Sequence, residues 1–133
     1  MKLRNLLVLI AGACVASFTA YAHHSFPATY DVETEVDVEG ELAAFMYRNP
    51  HSFVHLNVVN EDGETERWAV EWGAASFLDR QGITRATFKP GDKVIITGNP
   101  GRNPEDLRLR MRYIERLSDG FKWPQPHQDR DFN

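Results

Sequence analysis

The chain has 133 residues, among them 15 Lys and Arg, 19 Asp and Glu, and one cysteine. This length suits one small domain, and a single cysteine excludes a disulfide within the chain. The net charge of −4 argues against nucleic-acid binding, because such binding depends on the neutralisation of phosphates by Lys and Arg.

Residues 1–22 have the features of a secretory signal peptide. Lys2 and Arg4 give a positive start, and residues 6–13 form an apolar stretch that is too short to span a bilayer. Residues 20–22 (Ala-Tyr-Ala) supply the small side chains that signal peptidase accepts. We therefore expect export to the periplasm, with no membrane span after cleavage.

A lipoprotein carrying its lipid on Cys14 is the alternative. Residues 11–13 (Ala-Gly-Ala) lack the large aliphatic side chain expected three positions before a lipidated cysteine. Cleavage after Ala22 removes Cys14, so the mature chain would have neither a disulfide nor a thiolate ligand. It would also leave 13 Lys and Arg against 19 Asp and Glu, a net charge of −6, with His23 as first residue.

The rest of the chain divides into an arm, a β-domain and a tail. Residues 23–35 have no periodicity and are predicted to form an extended N-terminal arm. Residues 36–118 carry the alternation of apolar and polar side chains that is typical of half-buried strands. Residues 119–133 are predicted to form a flexible C-terminal tail, because Pro, Gly and polar residues interrupt any pattern.

Five strands and one short helix are predicted within the β-domain. The first strand begins at Val36 and ends before the Asn-Pro pair at residues 49–50. The other elements, in chain order, are strands over 51–60 and 64–72, a helix over 74–81, and strands over 93–97 and 107–114. This order is that of a five-stranded OB-like barrel, so the expected fold class is all-β with one short helix. A half-open sandwich is the alternative.

The second and third strands are predicted to form a hairpin. The three-residue loop over 61–63 suits Gly63 in the left-handed conformation and sets three cross-strand pairs, Leu56 with Trp68, Val54 with Val70, and Ser52 with Trp72. The five apolar residues of these pairs then share one face, whereas a slip by one residue would scatter them. Trp68 and Trp72 are assigned to the core, and Trp123 is predicted to cover one barrel end.

An N-terminal histidine offers its α-amine and its imidazole to one metal ion, a chelate that favours Cu(II). His23 would hold this position after cleavage, and one further imidazole would complete a histidine brace. The candidates for that imidazole are His24, His51 and His55. The alternative is that His23 and His24 form a solvated start that binds no metal.

The predicted hairpin places Glu71 close to His51 and His55. Because Phe53 faces Glu71, the carboxylate is diagonal to His55 and near His51, with about 7–8 Å between backbones. The two histidines are about 13 Å apart on a straight strand and cannot share one ion. One of them could bind metal together with Glu71 and His23. The alternative is a surface His–Glu pair that contributes under about 1 kcal/mol.

Three arginines, Arg108, Arg110 and Arg112, project from one side of the last strand. Aligned cations of this kind could bind an anionic ligand or an acidic partner. We favour a structural role, in which they pair with the acidic row of the first strand, Asp37, Glu39 and Glu41.

Several motifs together resemble a bacterial exported family of unknown function. They are an Ala-His-His-Ser-Phe start at 22–26, Tyr-Asp at 30–31, an Asn-Pro-His turn at 49–51, W-x-V-E-x-G at 68–73, and Lys-Pro-Gly-Asp at 89–92 before V-x-I-T-G. Trp72 departs from the small residue expected before Gly73. The resemblance implies a small periplasmic β-barrel and supplies no established activity.

These observations favour a periplasmic OB-like module that holds a divalent metal, copper, for sequestration or delivery. The alternative is a metal-free interaction module that docks on a partner protein through the arm and the turn at residues 49–51. The sequence has no Ser-His-Asp spacing, nucleophile elbow or phosphate loop, so we expect it not to be an enzyme. A copper-dependent oxidase is a weaker third option for a domain this small.

Overall fold

The computed structural model describes residues 25–125. In chain order its elements are α1 (Ser25–Thr29), β1 (Val36–Met46), β2 (Phe53–Val59), β3 (Thr65–Glu71), α2 (Ala75–Arg80), β4 (Lys93–Pro100), a 3-10 helix (Pro104–Asp106), β5 (Arg108–Arg116) and β6 (Phe121–Trp123). None of the helices in residues 25–125 is long and apolar enough to cross a membrane.

The first five strands close into a barrel. β1 pairs antiparallel with β2 through residues 41–46 and with β4 through residues 36–41. The pairs β2–β3 and β4–β5 are also antiparallel, and a parallel pairing of β3 with β5 completes the circle. This is the strand order of an OB-like barrel, so the predicted fold class is confirmed. The half-open sandwich is wrong because the β3–β5 pairing leaves no open edge between these strands.

β1 pairs with β4 up to Glu41 and with β2 from Glu41 onward, and Gly40 lies at this change of partner. A side chain at this position would come within 2.7 Å of the Asn57 carbonyl oxygen, so glycine permits the close approach of the two backbones. A β-bulge between Leu42 and Ala44 follows directly and increases the local twist. A glycine and one extra residue in the ladder therefore accompany the change of partner along β1.

The register predicted for the β2–β3 hairpin is confirmed. Val54 pairs with Val70, and Leu56 pairs with Trp68. Gly63 has a φ angle of +82°, which is the left-handed conformation that the short loop requires. Three of the four paired side chains are fully buried, whereas Trp68 is half-buried and packs against the edge of the core.

Aromatic rings close one end of the core. The ring centroids of Trp72 and Trp123 are 4.9 Å apart, and Trp72 also contacts Phe88 at 6.1 Å. Phe88 in turn meets Phe121 at 5.7 Å. Trp123 is 6% exposed and belongs to the core, which agrees with its predicted place against the barrel.

Both segments that flank the predicted β-domain contain structure that the sequence pattern does not indicate. Residues 25–29 of the predicted extended arm form α1, and Tyr30 is 1% exposed. The flexible tail predicted from residue 119 is wrong over residues 121–123, because β6 pairs with β5 and buries Trp123. One or two aromatic side chains anchor each segment to the barrel. A pattern of one or two apolar residues is too short to produce a periodicity that predicts a helix or a strand.

Candidate functional site

The five residues predicted as metal ligands do not form one cluster in the described part of the chain. The structure places His51 and Glu71 together and His55 elsewhere, while His23 and His24 lie outside the described residues. Within residues 25–125, no group of three or more His, Cys, Asp or Glu side chains is arranged to hold a metal ion. The site is therefore described from the His51–Glu71 pair outward.

Glu71 is the last residue of β3 and interacts with two side chains from different parts of the chain. The Tyr30 hydroxyl donates a hydrogen bond to Oε2 at 2.6 Å, and His51 Nδ1 contacts Oε1. The Glu71 side chain is 12% exposed, so these two partners replace most of the water around its carboxylate. Both carboxylate oxygens are thereby engaged.

Tyr30 is the buried partner in this arrangement. Its burial, followed by its hydrogen bond to Glu71 and the negative charge there, raises the pKa of the hydroxyl well above its ordinary value. The Arg108 guanidinium lies 5.5 Å from the ring centroid and lowers the same pKa, but by less. The hydroxyl therefore stays protonated near neutral pH and remains a hydrogen-bond donor to Glu71.

Phe26, in α1, covers the histidine. Its ring centroid is 5.6 Å from that of His51, with 18° between the two planes. The Arg110 guanidinium lies 4.3 Å from the centroid of the same phenylalanine ring, which is the geometry of a cation–π contact. These contacts restrict the rotation of the imidazole and attach α1 to the barrel.

The segment after α1 is held by hydrogen bonds to the connection between β4 and β5. The Asp31 N–H donates to the Pro100 carbonyl at 2.9 Å, and the Arg102 N–H donates to the Thr29 carbonyl at 2.9 Å. Arg102 Nε also donates to the Pro27 carbonyl at 2.6 Å. These hydrogen bonds hold α1 and the residue after Tyr30 against the β4–β5 connection, and so they help to keep Phe26 against His51.

This geometry leaves one nitrogen of His51 open for further chemistry. A carboxylate accepts hydrogen bonds, so the ring nitrogen that faces Glu71 carries the hydrogen and Nε2 of the neutral ring carries the lone pair. The His51 side chain is 40% exposed, so solvent reaches it. A histidine that donates to a carboxylate through one nitrogen and binds through the other is the usual arrangement of a metal-ligating imidazole.

His55 has different neighbours. Its Nε2 is 3.2 Å from the sulfur of Met46, and its ring stacks on Phe53 at 6.5 Å. Burial, followed by the positive charges of Arg67 and Arg48, lowers its pKa. The sequence predicts Glu71 within reach of both histidines. In the structure, His51 is the only described histidine that contacts the Glu71 carboxylate.

The predicted pairing of the arginine row with the acidic row of β1 is wrong. β4 lies between β1 and β5 in the sheet, so the two rows are not neighbours. Arg112 pairs instead with Glu35 at 3.3 Å, and Glu41 pairs with Lys93 at 3.8 Å. Arg108 and Arg110 lie over the rings of Tyr30 and Phe26, and so they fasten the N-terminal segment.

A cavity of about 420 Å³ opens beside the His51–Glu71 pair. Its walls are largely aromatic and apolar, with Trp72, Phe77 and Met111 among them. Arg110 and Arg112 also line it, which brings two guanidinium groups to the same space as the His51–Glu71 pair. Phe26 forms part of the rim, so the cavity and the histidine share one wall.

Phe26 and Tyr30 were not predicted as site residues. Each lies in a motif that carries the family resemblance, Phe26 at the end of Ala-His-His-Ser-Phe and Tyr30 in Tyr-Asp. Their roles depend on contacts with residues that are 25 and 41 positions away, and no local pattern specifies such a pairing. The motifs therefore indicated the right residues without indicating what they contact.

Barrel and site together define a small OB-like protein whose N-terminal segment is fastened over a partly buried carboxylate–histidine pair. The chain belongs to the family of unknown function DUF6152, which it matches over residues 11–109. No curated protein matches it. The matched residues include the histidine, the carboxylate and both aromatic side chains described above.

Two solved structures are similar to this chain. One is the mitochondrial single-stranded DNA binding protein Rim1 from S. cerevisiae, with 13% identity, a TM-score of 0.48, and coverage of 63% of this chain and 93% of that chain. The other is the S. pombe Stn1–Ten1 complex, with 15% identity, a TM-score of 0.48, and coverage of 64% and 59%. This chain thus spans less than two thirds of the Stn1–Ten1 chain that it matches. The fold assignment rests on the strand order given above and not on these likenesses.

Proposed function

We propose that this protein is an exported periplasmic module that binds Cu(II) through His23 and His51. The signal-like segment at residues 1–22 supports export, and cleavage after Ala22 would give His23 a free α-amine. The amine and the imidazole of His23 would bind the ion as a chelate, and His51 Nε2 would supply a third nitrogen. Nitrogen ligands of this kind suit Cu(II), which binds them more tightly than other common divalent ions.

The observation that carries this proposal is the pairing of His51 with Glu71. The carboxylate orients the ring and increases the electron density at Nε2, as outer-shell carboxylates do for metal-bound histidines. Glu71 uses both oxygens on Tyr30 and His51. We therefore assign Glu71 the role of orienting His51 and not that of a direct ligand.

The chain length between His23 and the site supports the same assignment. His23 precedes Phe26 by three residues, which corresponds to a backbone reach of about 10 Å. Phe26 is stacked on His51 with 5.6 Å between ring centroids. An amine and an imidazole on that short tether can therefore approach Nε2 closely enough for bonds of about 2 Å to one ion.

The test is a Cu(II) titration of the mature chain beginning at His23, followed by calorimetry with a competing chelator. We expect sub-micromolar affinity for the native terminus and a loss of at least about 100-fold when one residue is added before His23, because the α-amine becomes an amide. His51→Ala is expected to weaken binding by at least about 10- to 100-fold, which is the loss typical of an outer-shell substitution, because it removes a direct nitrogen ligand. Mass spectrometry of the exported protein checks that its first residue is His23.

His55→Ala is the matched control, since it removes an imidazole four positions away and leaves the His51–Glu71 pair intact. We expect it to bind Cu(II) like the unmodified chain. If His51→Ala also binds like the unmodified chain, the ion is held by His23 and His24 alone and the barrel has no part in it. Equal affinity of the native and extended termini would overturn the proposal, and absence of binding by either would favour a metal-free interaction module.

A further inference from the structure

Two side chains line the cavity beside His51 with an indole N–H that has no acceptor and a guanidinium that has no salt bridge among residues 25–125, and we propose that the cavity binds a small aromatic carboxylate. This proposal goes beyond copper binding and does not depend on it. The volume of about 420 Å³ lies within the range of small-molecule sites. The apolar walls include the rings of Phe26, Trp72 and Phe77, which would contact the faces of a flat apolar body.

The first donor is the indole N–H of Trp72. This side chain is 4% exposed and lines the cavity. Its Nε1 is buried and has no hydrogen-bond partner among residues 25–125. A buried donor without an acceptor is unfavourable. Because almost none of Nε1 is accessible, the proposal includes a shift of the indole that brings this N–H to an acceptor oxygen of the ligand.

The second donor is the guanidinium of Arg110. It lies over the Phe26 ring and lines the same cavity. Burial, followed by the nearby charge of Arg112, lowers the pKa of this guanidinium, while Glu71 and Tyr30 act in the opposite direction and by less. Within the described residues, no salt bridge joins Arg110 to a carboxylate, since Arg112 takes Glu35 and Glu71 takes His51 and Tyr30.

The charges around the cavity specify what kind of head group fits. Arg110 and Arg112 are positive, and Glu71 is the only acidic residue among the described lining residues. Each oxygen of Glu71 already accepts one hydrogen bond from the protein, which leaves this carboxylate less acceptor capacity for a ligand. A carboxylate has acceptors alone and matches a guanidinium in two-point geometry, whereas an amine would meet donors and positive charge.

The experiment compares benzoate, benzamide and benzylamine, which share a ring and differ in charge and hydrogen-bonding groups. Each is titrated into the mature chain by calorimetry in the presence of EDTA, so that the outcome does not depend on metal. We expect benzoate to bind at least about tenfold more tightly than benzamide, with no measurable binding of benzylamine. Quenching of tryptophan fluorescence gives a second readout, because Trp72 lines the cavity.

Two variants remove the donors separately. Arg110→Gln is expected to weaken benzoate binding by about tenfold or more, because a hydrogen bond to a charged group is lost. Trp72→Phe keeps a ring in place and removes only the N–H, and we expect a loss of about three- to tenfold. Arg67→Gln is the control, since Arg67 is exposed on β3 and does not line the cavity.

Circular dichroism establishes that each variant is folded, and Trp72→Phe keeps the test decisive if Arg110→Gln releases α1. Equal affinity for benzoate and benzamide would overturn the proposal, because the cavity would then select for shape and not for charge. Unchanged benzoate affinity in both variants would overturn it as well. Absence of benzoate binding to the unmodified chain would also do so, while leaving the copper proposal untouched.

Discussion

The surroundings of His51 and His55 differ in what each imidazole contacts. His51 faces a half-buried carboxylate, which a buried tyrosine holds from the other side, and it is covered by a phenylalanine from α1. His55 faces the thioether of Met46 on the surface of β1 and β2. The two histidines are only four positions apart, but the partners of His51 come from distant parts of the chain, whereas Phe53 and Met46 beside His55 are close to it in sequence.

The difference matters because a carboxylate and a thioether act differently on an imidazole. Glu71 accepts a hydrogen bond and fixes both the tautomer and the ring orientation. Met46 is exposed, at 37%, and its sulfur is a weak acceptor. We therefore expect substitutions around His51 to change both stability and ligand binding, and substitutions around His55 to change little of either.

Glu71→Ala should have the largest effect. It leaves the buried Tyr30 hydroxyl without its acceptor and removes the partner of His51, and we expect a loss of about 2–4 kcal/mol in the free energy of unfolding. Cu(II) affinity should fall by about 10- to 100-fold. Urea denaturation and Cu(II) titration measure the two effects.

Met46→Ala is the matched control in the other region, with an expected loss under about 1 kcal/mol because the side chain is partly exposed. The comparison between the regions fails if Met46→Ala destabilises the barrel as much as Glu71→Ala does.

Phe26→Ala should have the second largest effect. It removes the ring that contacts both His51 and Arg110, and we expect a loss of about 1–2 kcal/mol from these contacts. Hydrogen exchange should accelerate in the Tyr30 and Asp31 amides, which are bonded to Phe26 and Pro100. Unchanged exchange there would mean that the contacts of Tyr30, Asp31 and Arg102 hold the segment without the Phe26 ring.

The order of the elements along the chain and the β2–β3 register could be predicted because each depends on local information. Alternation specifies which side chains of a strand are buried, and a three-residue loop with Gly63 specifies which residues face each other. The same register placed Phe53 opposite Glu71, as observed. It could not decide which histidine the carboxylate contacts, because that depends on Tyr30 and Phe26 folding back over the barrel.

The arginine row illustrates the same limit. Strand alternation showed that Arg108, Arg110 and Arg112 share a face, but their partners depend on which strand lies beside β5. β4 occupies that place, and the N-terminal segment supplies aromatic rings to two of the three cations. Long-range order of this kind has no signature in the periodicity of a single strand.

Ionisation of Tyr30 is expected to lower the stability at alkaline pH, by less than the substitutions of Glu71 and Phe26 do. The pKa of its hydroxyl is raised in the folded protein by burial and by Glu71, so the folded state holds this proton more tightly than the unfolded state does. The resulting stability is complete below the ordinary tyrosine pKa near 10 and is lost as the pH rises above it.

Tyr30→Phe should remove this part of the pH dependence, so that the stability of the variant falls less between pH 9 and 11. Denaturation of both proteins across that range measures the difference. Parallel curves would show that Tyr30 does not ionise on unfolding in this window. Tyr113→Phe is the control, since its hydroxyl is bonded to Glu115 outside the cluster around Glu71.

The smallest expected effect concerns His55 and has the opposite sign. Burial, with Arg67 and Arg48, lowers the pKa of its imidazole in the folded protein, so the folded state binds this proton less tightly than the unfolded state. The stability that results is present above the ordinary histidine pKa of about 6.5 and is lost as the pH falls below it.

Arg67→Gln should raise the pKa of His55, because one positive charge is removed while burial is retained. Titration of the imidazole by NMR measures the change, and a pKa of His55 that stays the same in Arg67→Gln would assign the whole shift to burial and to Arg48.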